Sequence, residues 1–286
     1  MKIVVTGATG QVGMHLVNLL EHSSHEVILA KRSPRTTDNR SIQEVWFDFE
    51  QPDTYAPALK GADKLFLLRP PAVSNVKRFI SPVIDAAKEA KLTHIVFLSI
   101  LGVQQNSLVP HHAIEKYILS SGIAYTFLRA SFFMQNLSTT HRFDIKHHNE
   151  IFLPAGRGKT SFIDTRDIAA VAARALTESG HENRAYTLTG SEALDYFEVA
   201  EIFTQVLDRT IVYANPSVFQ FIYRNWSKVS LPFLLVMVGI YTTVRWELAE
   251  QVTDETSQLL GRSPITLDDF VRDYRDCWML DKTRGA

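Results

Sequence analysis

Three glycines, Gly7, Gly10 and Gly13, stand between an apolar β-branched run (Ile3–Val4–Val5) and an apolar-periodic stretch (Val12, Leu16, Leu19, Leu20). The chemistry such a Gly-x-x-Gly-x-x-Gly turn serves is phosphate binding. Glycines let the backbone turn tightly and let a pyrophosphate approach, and the following helix offers free N–H groups and a favourable dipole. Gly7, Gly10 and Gly13, with Thr9, Gln11 and Val12, form the expected cradle. The strand–turn–helix setting separates this triplet from a chance glycine-rich loop. A second apolar run, Glu26–Val27–Ile28–Leu29–Ala30, ends in Lys31–Arg32. An NAD site places a carboxylate for the ribose hydroxyls roughly 20 residues past the glycines. Two cations there suit a 2′-phosphate instead, which a guanidinium meets bidentately. The reading is NADP(H) in preference to NAD(H), with Arg32 as principal contact; the alternative is two solvated charges opening a loop.

The elements that must position these residues alternate between apolar runs and helical patterns, which predicts an α/β fold: a Rossmann-type doubly wound parallel sheet. Further strands are expected at 43–47, 64–68, 94–99, 124–129 and 185–190, with helices at 76–91, 111–121 and 168–176. Ligands sit at the carboxyl ends of such strands, so Asp48, Arg69, Ser99 and Arg129 belong to the expected cofactor rim. Asp48 reads either as an acceptor for the adenine amino group or as the cap of its own turn, and Arg69 as a phosphate contact or a surface charge. The order loosens after residue 130. The expected division is a dinucleotide-binding domain over 1–135 and 159–190, and a small, mostly helical substrate-covering subdomain over 136–158 and 191–286.

Composition narrows the classes. At 286 residues with 45% hydrophobic content the chain can bury a full core. A net charge of −1 without a basic tract argues against a nucleic-acid surface. The single cysteine, Cys277, excludes an intrachain disulfide and a thiolate metal site. His141, His147 and His148 with Asp144 lack a recognised ligand spacing, so no metal is expected. The apolar segment 229–244 contains Pro232 and Gly239 and is too short to span a bilayer; it reads as a buried or substrate-covering helix. The first apolar run is the strand feeding the glycine loop, so no signal peptide and a cytoplasmic location are expected.

The chain as a whole resembles the NmrA-like branch of the atypical short-chain dehydrogenase/reductase superfamily. The resemblance rests on the Gly7–Gly13 loop, Leu67–Leu68–Arg69–Pro70, Phe97–Leu98–Ser99 and His112-x-x-x-Lys116. It continues through Thr126–Phe127–Leu128–Arg129, Phe133–Met134–Gln135–Asn136, Phe162–Ile163–Asp164-x-x-Asp167 and the stretch from Thr253 to Tyr274. It implies NADP(H) held between the sheet and a C-terminal subdomain, with Leu68 and Arg69 along the cofactor path. It also implies reduction of quinones, azo compounds or similar electrophiles, although some relatives are cofactor-sensing regulators. The wider superfamily uses Tyr-x-x-x-Lys, where this chain has His112 and Lys116. Their i, i+4 spacing shares one helix face. Lys116 is expected to orient the nicotinamide ribose. His112 is the candidate proton donor, or else a polar residue at a helix start, and Ser99 takes the superfamily's polar position. Phe133, Met134 and Tyr241, the last in the stretch from Phe233, are expected to enclose the acceptor. The leading expectation is hydride transfer to a small electron-poor acceptor such as a quinone. A redox sensor acting on a protein partner, and less favourably a nucleotide-sugar epimerase-like isomerase, remain as alternatives, and a homodimer is left open.

Overall fold

Residues 1–34 and 42–280 are described by a computed structural model; the remaining stretches, 35–41 and 281–286, fall inside the expected domain limits but outside the described residues. In chain order the elements begin β1 (Lys2–Thr6), α1 (Gln11–Glu21), β2 (Glu26–Lys31), β3 (Ile42–Trp46), α2 (Tyr55–Leu59), β4 (Lys64–Leu67), α3 (Val76–Phe79), α4 (Ser81–Glu89), β5 (His94–Ile100), α5 (Pro110–Ser121) and β6 (Ala124–Ala130). There follow β7 (Phe132–Phe133), α6 (Gln135–Ser138), α7 (Arg142–His148), β8 (Glu150–Ile151), β9 (Phe162–Ile163), α8 (Thr165–Thr177) and β10 (Arg184–Leu188). The last are α9 (Tyr196–Leu207), β11 (Val212–Tyr213), α10 (Val218–Asn225), α11 (Leu231–Arg245), α12 (Glu255–Leu260) and α13 (Leu267–Asp273). The chain divides into two compact units, residues 1–130 with 165–188 and residues 131–164 with 189–286.

The first unit is the doubly wound sheet. Seven parallel strands run β10-β6-β5-β4-β1-β2-β3, so the order reverses beside β1, where such sheets bind ligands. Ile3, Val4 and Val5 are wholly buried, as expected of a strand covered on both faces. Alternate side chains serve opposite faces. Val4, Ile28, Leu65, Ile95, Phe97 and Phe127 form one core with Leu59 of α2, Ile84 of α4 and Ile118 of α5, while α1 and α8 pack side by side. The helix expected over 76–91 is two helices. Pro82 stands in the first turn of α4; without an N–H, and with a ring that clashes with the carbonyl four residues back, it breaks a continuous helix at that point.

The second unit has short parallel pairs, β7 with β9 and β8 with β11, and a core of Phe162, Tyr196, Phe203, Phe221, Phe270 and Trp278. The Trp278 indole donates to the Leu137 carbonyl (3.2 Å), and an Asp195–Glu198 capping box starts α9. The apolar 229–244 segment forms α11, and only one stripe of it, Leu234, Met237, Tyr241 and Val244, is buried. No helix among the described residues is long and apolar enough to cross a membrane.

Buried in this second core, His141 pairs with the Tyr241 hydroxyl (2.5 Å). Burial holds its imidazole down at about 4, with Asp144 pulling weakly the other way. A histidine depressed below its ordinary 6.5 is neutral when folded, while the unfolded chain takes up the proton. Stability is therefore full above about 6.5 and falls as pH drops towards 4, by up to about 3 kcal/mol from this residue. Urea unfolding at neutral pH and at pH values through that window should show the decline, and His141→Gln should lessen it, leaving the share of His94 and His111, whose burial lowers them likewise to about 4.

Candidate functional site

The end of β1 is built around absent side chains. Gly7 has φ +66°, in the left-handed region, and a Cβ there would lie 3.0 Å from the Leu68 side chain. A Cβ on Gly13 would lie 2.1 Å from the Gly7 carbonyl oxygen, so α1 can approach the turn only because residue 13 has none. Gly10 caps α1 without a side chain, and no acidic residue occupies the first turn. The N–H groups of that turn and the positive end of the dipole are left uncompensated, which is the donor set a pyrophosphate requires. Thr6 fixes the turn against the next strand. Its hydroxyl donates to the Phe66 carbonyl (3.1 Å) and accepts from the Leu68 N–H (2.8 Å). Sequence reasoning assigned Thr6 no role, because nothing local distinguishes it from any strand threonine. The cradle fits a dinucleotide phosphate, with Gly7, Thr9, Gly10, Gln11, Val12 and Gly13 around it and Leu68 packed beneath.

The two cations after β2 separate. Lys31 is paired with Glu44 on the adjacent strand (2.6 Å), while Arg32 is exposed and forms no ion pair with a described residue. Of these two, Arg32 is the one left available to a phosphate. Asp48 accepts from the Glu50 N–H (3.0 Å) and thus caps its own turn. Arg69 is half-buried rather than a free surface charge. One terminal nitrogen donates to the carbonyls of Pro70 (2.9 Å), Pro71 (3.1 Å) and Val73 (2.8 Å). A rigid Pro-Pro bend turns those carbonyls back towards the strand end, and the guanidinium holds the bend.

Ser99 is wholly enclosed at the end of β5 and donates to the Glu115 carboxylate (2.7 Å). The same carboxylate accepts from Arg129 Nε (3.1 Å) and Nη2 (2.7 Å). Ser99 and Arg129 are register partners on β5 and β6, and Glu115 of α5 closes over both. The Ser99 proton is directed at a buried carboxylate. The trio sets the position of α5. Glu115 was missed because neither its spacing nor its neighbours mark it.

On that helix His112 Nδ1 lies 3.0 Å from the Val103 carbonyl. The nitrogen must donate there, so Nε2 is the ring position left for exchange. Lys116 lies one turn on and is exposed. The neighbouring His111 has a buried Nδ1 with no hydrogen-bond partner among the described residues; burial, then the nearby Arg69 charge, lower its pKa to about 4. Tyr117 is no substitute for the superfamily tyrosine, since its hydroxyl donates to Asp85 (2.9 Å).

In the second unit Phe133 is half-buried and Met134 buried. Tyr241, expected to face the acceptor, is instead a core residue, 3% exposed, packed on Phe221 and Phe132 and bonded to His141. The ligand atoms of Asp144, His148 and Glu150 lie within 4.8 Å of one another. Arg224 reaches this group, 2.9 Å from Asp144 and 2.6 Å from Glu150, and supplies its positive charge. His141 is apart from it, against Tyr241.

The model described as the NmrA-like family matches residues 1–270, and the chain belongs to that family. It is similar to the NAD(P)H azoreductase of Xenophilus azovorans, 32% identical over 279 residues, which cover 94% of this chain and 96% of the relative. Among solved structures it is similar to the triphenylmethane reductase of Citrobacter sp. complexed with NADP(H): TM-score 0.86, 26% identity, 96% of this chain and 100% of that one. It is also similar to the NADPH-dependent quinone oxidoreductase of Escherichia coli complexed with NADPH: TM-score 0.83, 25% identity, 95% and 99% covered.

Gly13→Ala tests the close approach. The added methyl should push α1 and the turn apart, lower the melting temperature and raise the NADPH dissociation constant on the order of tenfold, since overpacking costs about 1–3 kcal/mol. Fluorescence titration and thermal melting read the two effects.

Proposed function

We propose that the chain is an NADP(H)-dependent reductase delivering hydride to a small electron-poor acceptor, with quinones as the leading class and azo compounds next. The observation that carries the reading is the glycine cradle at the reversal of strand order, where a Cβ at Gly13 would meet a carbonyl at 2.1 Å. The names of the similar proteins support the acceptor class. The cradle binds the pyrophosphate through the N–H groups of the first turn of α1. Arg32 meets the 2′-phosphate, Asp48 lies along the adenine edge, and Lys116 donates to the nicotinamide ribose. Bound there, the reduced nicotinamide supplies the hydride.

Reduction of a quinone to the hydroquinone takes that hydride and one proton. His112 Nε2 is the site assigned to the proton, because the Val103 carbonyl occupies Nδ1. An activated acceptor needs less proton assistance than a ketone, so positioning can supply most of the rate. Phe133 and Met134 of the second unit are the residues assigned to the acceptor.

A second reading has its own observation. No tyrosine precedes Lys116 by four residues, and the nearby Tyr117 hydroxyl is tied to Asp85. A chain that binds NADP(H) without turnover and changes its affinity for a protein partner needs no proton donor.

NADPH mixed with the purified protein and a panel of quinones and azo dyes, followed at the nicotinamide absorbance band, separates the readings. Acceptor-dependent oxidation is expected, whereas tight NADPH binding with no oxidation across the panel would establish the sensor. Lys116→Ala should lower kcat/KM on the order of 100-fold through misplacement of the ribose, with little change in pyrophosphate affinity; full retained activity would reject its role. Arg32→Glu should reduce the preference for NADPH over NADH by about 10- to 100-fold, the worth of a charge-assisted hydrogen bond, and an unchanged preference would remove Arg32 from the site.

A further inference from the structure

Helix α11 is apolar on both sides. Its inner stripe, Leu234, Met237, Tyr241 and Val244, belongs to the core of the second unit. At about 100° per residue, Leu235, Val236, Gly239, Ile240 and Thr243 lie on the opposite side. Leu235 is 58%, Val236 56% and Ile240 40% exposed, and Leu231 adds to the face at its start. Exposed Trp226 and Trp246 stand at its two ends. Leu231, Leu235, Val236, Ile240 and Trp246 together present on the order of 500 Å², the size of a monomer's largest apolar patch, which is often functional.

The face also has a shape. A Cβ on Gly239 would have open space on every side within 4 Å, and Thr243, one turn on, folds its hydroxyl onto the Ile240 carbonyl (2.7 Å) and so leaves no polar group unpaired. These small residues form a furrow between the ridges of Leu235 on one side and Val236 and Ile240 on the other. Such a furrow admits a helix at close range; a lipid surface needs none. The charges lie outside the face. Lys228 precedes α11, Glu247 and Glu250 follow it, all three exposed, and none is in an ion pair with a described residue. An antiparallel helix pair sets Lys228 of each copy beside the acids of the other and opposes the two helix dipoles favourably.

We propose that the outer face of α11 is the interface of a two-fold homodimer in which α11 pairs antiparallel with α11 of a second copy. The assignment is independent of the reaction. It makes Gly239 the point of closest approach, with Val236 and Ile240 seated beside the partner's furrow.

Sedimentation-velocity ultracentrifugation of the full chain at micromolar concentration tests it. A dimer is expected. Val236→Glu and Ile240→Glu should each weaken it about 30-fold or more, the effect of burying an unpaired carboxylate, while far-UV circular dichroism of the folded single copy stays unchanged because both sites are exposed there. Lys228→Glu should weaken the dimer at low salt, and Lys228→Glu with Glu247→Lys should restore it, which keeps the test open should either apolar-site variant fold poorly. A monomeric wild-type chain overturns the proposal, and co-sedimentation of that monomer with phosphatidylcholine vesicles would give the face to lipid. A dimer indifferent to both glutamates places the interface elsewhere, and one indifferent to Lys228→Glu overturns the antiparallel pairing.

Discussion

The distance between Gly13 and the Gly7 carbonyl is the constraint on which the first unit depends. A Cβ at residue 13 would sit 2.1 Å from that oxygen, so the approach exists only for glycine. It seats the first turn of α1 directly over the end of β1, and two features follow. The N-terminus of α1 has neither a capping side chain nor a first-turn acid; a glycine cap gives up only a few tenths of a kcal/mol and the missing acid about 0.3–1 kcal/mol. The turn itself is held from below, because Thr6 bridges β1 to the Phe66–Leu68 segment through two hydrogen bonds. Helix stability is given up where a ligand's oxygens can replace the missing cap, and the rigid sheet carries the loss.

A second constraint acts on the opposite side of the strand-order reversal. Glu115 is buried with three donors on its carboxylate, two from Arg129 and one from Ser99. Removing one partner of a buried pair typically costs about 3–5 kcal/mol, because the remaining charge is stranded. The network therefore resists sliding or rotation of α5 relative to β5 and β6. His112 and Lys116 flank Glu115 on the same helix, three residues before and one after, so their placement depends on a carboxylate that neither touches. The Val103 carbonyl then selects the tautomer of His112.

What could be read in advance divides along the line between local and distant partners. The β1–turn–α1 unit, the run of parallel strands and the α/β class were legible because periodicity, glycine spacing and β-branched runs are properties of neighbouring residues. The break at Ile80 was legible in principle from Pro82, but the apolar periodicity continues across it and masked the proline. Arg69, Ser99 and Tyr241 have surroundings that could not be read in advance, for a common reason. Each is a polar group whose partner was invisible in the sequence: carbonyls turned back by a Pro-Pro bend, a glutamate 16 residues on, a histidine 100 residues away. Lys31 and Arg32 looked equivalent as a pair, and only the β2–β3 register, which brings Glu44 beside Lys31, separates them. A helix apolar all round, such as α11, gives no periodic signal for which side is buried, and so its inner stripe and outer furrow were indistinguishable.

The residue types at the end of α5 bear on the acceptor independently of any relative. A ketone accepts hydride only with strong stabilisation of the developing alkoxide, and a tyrosine hydroxyl beside a lysine is suited to give it. Here the corresponding position holds an imidazole whose Nδ1 is occupied by a backbone carbonyl, and the adjacent His111 is held neutral by burial and by Arg69. A neutral imidazole such as that of His111 stabilises an alkoxide weakly. A quinone spreads the incoming charge over a conjugated system and its hydroquinone is a far stronger acid than an alcohol, so protonation need not coincide with hydride arrival. The reaction that suits this set of side chains is one in which the acceptor carries its own electronic activation and the protein supplies orientation. On that reading the glycine cradle and the Glu115 network, which fix where the two reactants meet, matter more to the rate than any single acid or base.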